Sequence, residues 1–193
     1  MNRRPGLAVV LDTNVLLPPS LRDVLLYAAD AGLLRPHWGT EILEELRRNL
    51  IKKLNLSEEA ACHRIRTLCL SFPDAAVDVT SEDIARLSND SKDRHVLAVA
   101  IEAGARVIVT QNVKHFPPDV LAPYSIQAWS ADACLTHLLR TSPESMMAAL
   151  REHASRLRNP PTTMPELLKT LSIYAPQFAQ LAQNLHADLA GEL

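Results

Sequence analysis

The chain of 193 residues has little aromatic content, 4%, and holds only five glycines, three cysteines and a net charge of -2. Each scarcity excludes something. So few aromatic side chains, scattered along the chain, make no evident platform for stacking bases. The few glycines form no Gly-rich phosphate loop, and no GxSxG nucleophile elbow is present. Seven histidines show neither HExxH nor paired Cys/His spacing for zinc. Cys62, Cys69 and Cys134 contain no CxxC pair and read as buried thiols of a reducing compartment, so the cytoplasm is the expected location. A near-neutral charge gives no global basic field, so any nucleic-acid partner is held by a local patch or through bound metal. The apolar run Leu7 to Leu11 behind the basic residues 1–6 is too short for a signal segment or a membrane span, and no membrane partner is expected.

What is present is an aliphatic globular chain, 47% hydrophobic, long enough for one domain and an appendage. Residues 7–11 predict a strand buried on both faces and ending at Asp12. Ser20 is expected to cap a helix through Leu21, Val24, Leu25 and Ala28 that stops near Gly32. A short strand over 33–38 precedes a helix from Thr40 to about Leu54, with Ile42, Leu43, Leu46 and Leu50 as its apolar stripe. Ser57 starts the next helix, and 75–79, 107–109 and 125–129 are further strands. Between them lie helices over 81–87 and 92–103, the second ended by Gly104, and Ser130 caps one more to about Leu139. Strands alternating with helices predict an α/β sandwich with a mainly parallel sheet over residues 1–140. Beyond Arg140 the strand signals cease, and residues 141–193 read as a helical C-terminal extension. A helix starts at Ser142, Asn159-Pro160-Pro161 breaks it, Thr163 and Glu166 form a capping box, and Pro176 precedes a last helix.

An open parallel sheet binds its ligand at the carboxyl ends of its strands, which directs attention to three acids. Asp12 follows the first strand, and Asp12-Thr13-Asn14 supplies one carboxylate and two neutral oxygen donors in a tight turn, an Asx turn being its bland alternative. Each helical residue advances about 100° around the axis, so Glu41 and Glu44 are expected to point away from the core while Glu45 lies beside the apolar stripe. Asp93 falls on the face that its helix buries through Val96, Leu97, Ala100 and Ile101, and a carboxylate there needs a partner. Three converging carboxylates repel one another unless a cation neutralises them. Mg²⁺ or Mn²⁺ does so with hard oxygen ligands and activates water against a phosphodiester. Arg94 and Lys114 flank this expected pocket as candidates to meet a nucleic-acid backbone, and Asp90 is a supplementary acid or a turn residue.

Leu-Asp-Thr-Asn-Val-Leu at residues 11–16 resembles the opening of PIN-domain nucleases. Glu45-Leu46 resembles the family's second acidic position and Lys92-Asp93-Arg94-His95 its third. Val109-Thr110-Gln111-Asn112 with His115-Phe116 resembles the end of its fourth strand. The resemblance covers roughly residues 7–139. It implies an α/β/α sandwich, cleavage of single-stranded RNA with divalent metal at Asp12, Glu45 and Asp93, and frequent service as the VapC-type toxin of a toxin–antitoxin pair. An antitoxin partner and a homodimer follow from the same likeness. Asn112 departs from the pattern, since many members carry Asp there; it keeps a carbonyl oxygen but removes a charge, with Asn14 and Thr110 as supporting polar groups. A catalytically weak module that binds RNA or protein is the alternative that Asn112 motivates. A structure-specific DNA nuclease ranks last, because no DNA-clamping element is visible.

Overall fold

The computed structural model describes residues 6–158 and 160–191, so Asn159 and the basic residues 1–5 singled out in the sequence lie outside it. Among the described residues two compact units are present, one made of residues 7–17 and 35–129, the other of residue 6 with 18–34, 130–158 and 160–191. The grouping crosses the cut drawn at residue 140, because residues 18–34 and 130–140 cluster with the later helices. No helix among the described residues is long and apolar enough to cross a membrane.

The first unit is built on five strands, β1 (Leu7–Leu11), β2 (Leu34–Gly39), β3 (Ala76–Val77), β4 (Val107–Val109) and β5 (Gln127–Trp129), in the order β3-β2-β1-β4-β5. Pairing is parallel, with Leu11 opposite Val109 and Val109 opposite Trp129. Val9, Val10, Leu11, Ile108 and Val109 are fully buried, which is why these strands read as unbroken apolar runs. The α/β class with a parallel sheet is as the alternation of elements anticipated. Two strands are shorter than expected. A 3₁₀ turn at Pro73–Ala75 delays β3, and Ser125 in the left-handed region (φ 55°) delays β5.

Helices α1 (Thr13–Leu16), α3 (Thr40–Leu54), α4 (Glu58–Ser71), α5 (Ser81–Ala85), α6 (Arg94–Glu102) and α7 (Pro118–Leu121) belong to this unit. Ile42, Leu46 and Leu50 form the buried stripe of α3, while Leu43 is only half-buried. Trp38, fully buried, meets Phe72 edge-on at 6.2 Å. Helix α6 begins at Arg94 rather than Lys92, because the Asp90 side chain and carbonyl take the backbone N–H groups of Lys92 and Asp93 (3.0 and 2.9 Å) in a turn. Val96 to Ala100 are buried in succession, whereas Ile101, expected on the buried face, is 37% exposed near the helix end. Cys62 and Cys69 on α4 are half-buried rather than buried, since α4 covers the unit with little more than Ala61 and Leu68.

The second unit is helical. It comprises α2 (Pro19–Asp30), α8 (Ala131–Thr141), α9 (Pro143–Arg156), α10 (Met164–Leu171) and α11 (Pro176–Gly191). Helix α2 starts with Pro19 at its first position, where a missing N–H costs nothing, so Ser20 lies inside it and does not cap it. Leu21, Val24, Leu25 and Ala28 of α2 are buried, as are Leu135, Leu139, Leu150, Leu168 and Phe178. Ser130 accepts from the N–H of Ala133 at the start of α8, and Glu166 accepts from the N–H and hydroxyl of Thr163 at the start of α10. Asp132 of α8 accepts from the N–H groups of Gln177 and Phe178 (3.3 and 2.9 Å), capping α11 from a neighbouring helix. The stack of Tyr27 on His153, centroids 4.8 Å apart, joins α2 to α9.

Two predictions follow from the packing. A Cβ at Gly39, between β2 and α3, would stand 2.6 Å from Cγ2 of the buried Val99, a β-branched side chain with little room to turn. Gly39→Ala is therefore expected to cost about 1–3 kcal/mol in urea unfolding. His153 is 2% exposed and its Nδ1 has no partner, and desolvation holds its pKa below the ordinary 6.5, as it does for His37. Both rings fold neutral, so the unfolded chain binds more protons as pH falls below 6.5 and stability is lost in that direction. The melting temperature should decline from pH 7 to pH 5, and the decline should be shallower in His153→Phe.

Candidate active site

The strand order puts β1 and β4 side by side with their crossovers leading away in opposite directions, which leaves a switch point between their carboxyl ends. Asp12 and Thr110 occupy that point. The N–H of Asp12 donates to the carbonyl of Val109 at 3.1 Å, extending the ladder and delivering the Asp12 carboxylate beside the Thr110 hydroxyl. Oγ1 of Thr110 donates to Oδ2 of Asp12 at 2.6 Å, and Nδ2 of Asn14 stands 2.6 Å from the same oxygen and 2.9 Å from Thr110 Oγ1. Oδ1 of Asn14 accepts from the N–H of Gln111 at 2.9 Å, and Thr110 Oγ1 accepts from that of Asn112 at 3.0 Å. Asn14 and Thr110 thus orient Asp12, and residues 12–14, expected as a tight turn, are instead the N-cap and start of α1, with the Asp12 side chain making no cap hydrogen bond.

Asp12 is 5% exposed. Burial is the main cause that pushes its pKa above the ordinary aspartate value of 3.8; the Thr110 hydroxyl opposes that shift, and the charges of Glu45 and Asp93 add to it. Those two acids face a neighbouring cavity of about 770 Å³, which Glu41, Glu44 and Asn112 also line. The Asp93 side chain is 15% exposed and that of Glu45 41%. Glu45 keeps a long contact from Asn49 Nδ2 at 3.5 Å. Among the described residues no three His, Cys, Asp or Glu side chains form a group able to hold a metal ion: of the three expected acids Glu45 and Asp93 line the cavity, while Asp12 is buried and not part of its lining, so the cluster does not close on one point. The donor chemistry nevertheless fits a hard divalent cation. All three acids offer oxygen, and a cation would stabilise the charge that burial chiefly, and the repulsion of Glu45 and Asp93 in smaller part, disfavours at Asp12.

Several expected residues stand elsewhere. Asp90 is exposed and serves its turn. Arg94 donates from Nε to the carbonyl of Asn89 at 3.0 Å, and Lys114 lines a separate, mostly apolar cavity beside Phe116 and Leu121. The basic side chains on the acidic cavity are Arg48 and Lys92. Two histidines were not anticipated as site residues. His95, 8% exposed, faces Glu41 through Nδ1 (3.7 Å) and Glu45 through Nε2 (4.0 Å), and His115 Nδ1 is 3.1 Å from Asp93 Oδ2. Glu41 was legible in principle: four residues before Glu45 on one helix, it is offset by only about 40°.

A profile described as PIN domain matches residues 8–114, more than half of the chain. The chain belongs to the PIN-domain family. Its fold is accordingly the α/β/α class expected from the resemblance. A second profile, described as VapC50 C-terminal domain, matches residues 131–184. A Mycobacterium tuberculosis protein named "Putative ribonuclease VapC50" is 43% identical over 102 residues, which cover 53% of this PIN-domain chain and 60% of that protein. The match therefore spans less than two thirds of the relative's length. No solved structure matches the chain.

The raised Asp12 pKa carries a stability consequence. An aspartate raised in the fold is destabilising once ionised, so the deficit is complete above its folded pKa and disappears as pH falls through it. Asp12→Asn keeps an oxygen for Thr110 and removes the charge. Its melting temperature in EDTA should exceed that of the parent at pH 7, with the gain shrinking as pH is lowered toward 3.8.

Proposed function

We propose that this PIN-domain chain is a divalent-metal-dependent endoribonuclease that hydrolyses phosphodiester bonds of single-stranded RNA. The observation that carries the reading is Asp12, a carboxylate buried at the switch point, oriented by two side chains and repelled by two further acids. Asp12, Glu45 and Asp93 would hold Mg²⁺ or Mn²⁺, with Asn112 offering a neutral oxygen at the cavity wall. When bound, such an ion would supply positive charge toward a phosphodiester and make water more acidic. The chain's own residues do the remaining work. Thr110 and Asn14 keep Asp12 Oδ2 hydrogen-bonded, while Arg48 and Lys92 meet the phosphates flanking the scissile bond.

The similarity to a mycobacterial protein named as a VapC ribonuclease, together with the match to a VapC50 C-terminal domain, supports service as the toxin of a type II toxin–antitoxin pair. The antitoxin would cover the acidic cavity or insert a basic side chain into it, and self-association as a homodimer belongs to the same reading. Residues 1–140 form the nuclease domain in this proposal and residues 141–193 its helical extension. A second reading, a weakly catalytic module that binds RNA or protein, draws on Asn112, which leaves the cavity one charge short of the usual family pattern.

Purified protein is expected to cut a single-stranded RNA panel with Mn²⁺ or Mg²⁺, to spare the matching DNA, and to lose cleavage in EDTA. Asp12→Asn should lower the rate by at least about 100-fold, the order expected when charge stabilisation of the transition state is removed. RNA bound but uncut, with no Mn²⁺ uptake in calorimetry, would instead establish the binding module.

A further inference from the structure

Asp93 holds the N-cap position of α6, where an aspartate ordinarily accepts from the helix's own N–H groups, yet its side chain makes no capping hydrogen bond. Its Oδ2 instead meets Nδ1 of His115 at 3.1 Å. The carboxylate is mostly buried and the imidazole is 38% exposed on the cavity wall. A buried carboxylate turned away from its helix cap needs another donor.

The segment leaving β4 supplies donors to two acids. At its start Thr110 donates to Asp12 at 2.6 Å, and at its end His115 faces Asp93. The turn between is closed by the N–H of His115 donating to the carbonyl of Asn112 at 2.9 Å, and the N–H of Asn112 donating to Thr110 Oγ1 at 3.0 Å. Phe116, 1% exposed, pins the next residue in the core. The imidazole therefore starts from an anchored backbone. This segment brings no carboxylate of its own to the cavity, because its Asn112 is neutral; what it brings are donors to carboxylates held by β1 and α6.

We propose that His115 is a positioning residue: Nδ1–H of His115 donates to Asp93 Oδ2 and so holds the Asp93 carboxylate in one orientation, leaving Oδ1 for the divalent cation. The inference rests on the reading of Asp93 as a metal ligand. Donors to ligating carboxylates commonly govern metal affinity without touching the ion, and their loss costs 10–100-fold on the order of magnitude. Asn is the conservative replacement, since its Nδ2 lies as many bonds from Cβ as His Nδ1 does.

The test is Mn²⁺ titration calorimetry of the full chain as parent, His115→Ala, His115→Asn and Asp93→Asn, with melting in EDTA alongside. His115→Ala is expected to weaken Mn²⁺ binding about 10–100-fold and His115→Asn to restore most of it, with the Asn variant melting with the parent in EDTA. Nitrogen-15 NMR of the metal-free parent should show His115 with its proton on Nδ1. An Nε2–H tautomer there overturns the proposal without any variant, which covers the case of an Ala variant that does not fold. Equal loss in the Ala and Asn variants overturns it too, because the donor is then not what matters. If Asp93→Asn loses Mn²⁺ while His115→Ala binds as the parent does, the inference about His115 fails alone. If Asp93→Asn binds as the parent does, the ligand reading of Asp93 fails and takes the inference with it.

Discussion

A carboxylate that is 5% exposed must be protonated, neutralised by a cation or surrounded by donors, and Asp12 imposes that constraint on everything near it. Its place is dictated by topology. With β1 central and β4 beside it, the two strands end together, and the residue after each faces the other across the switch point. Thr110 and Asn14 answer with two donors to Oδ2, and Asn14 is itself held by the N–H of Gln111. Neighbouring Glu45 and Asp93 push the other way. The result is an oriented carboxylate whose charge the fold alone does not balance.

The surrounding cavity has the same character. Glu41, Glu44, Glu45 and Asp93 line it against Arg48 and Lys92, and the two histidines each face acid side chains. Such a wall repels a polyanion unless positive charge is added, so an RNA substrate and a divalent cation belong to one reading rather than two. Arg48 and Lys92 are the Arg and Lys side chains on that lining, and in the proposed reading they would meet backbone phosphate, which carries no sequence information.

The helical unit solves a different problem. With three phenylalanines and two tryptophans in the whole chain, packing falls to Leu, Ala and Met, which have little shape of their own. Fixed orientation comes from polar ties at the helix ends. Asp132 caps α11 across a helix boundary, and Glu166 caps α10 from within. The Tyr27–His153 stack adds one aromatic pair, and it is there that proton uptake opposes folding.

The sequence by itself determined the parallel α/β class, the span of α3 from Thr40 to Leu54, the caps at Ser57 and Ser130, and the PIN-domain membership that the family profile bears out. These rest on local rules: apolar period, capping chemistry and short motifs, each written within a few residues. Only the tertiary structure decided which side chains share a wall. Arg94 turns to the Asn89 carbonyl and Lys114 to another cavity, while Glu41, His95 and His115 join the acids. Sequence adjacency reports direction along one element, but a site is made where elements from positions as far apart as 12 and 110 meet. Their relative rotation is set by packing of the whole unit, as at Gly39 against Val99, and no short window of residues encodes it.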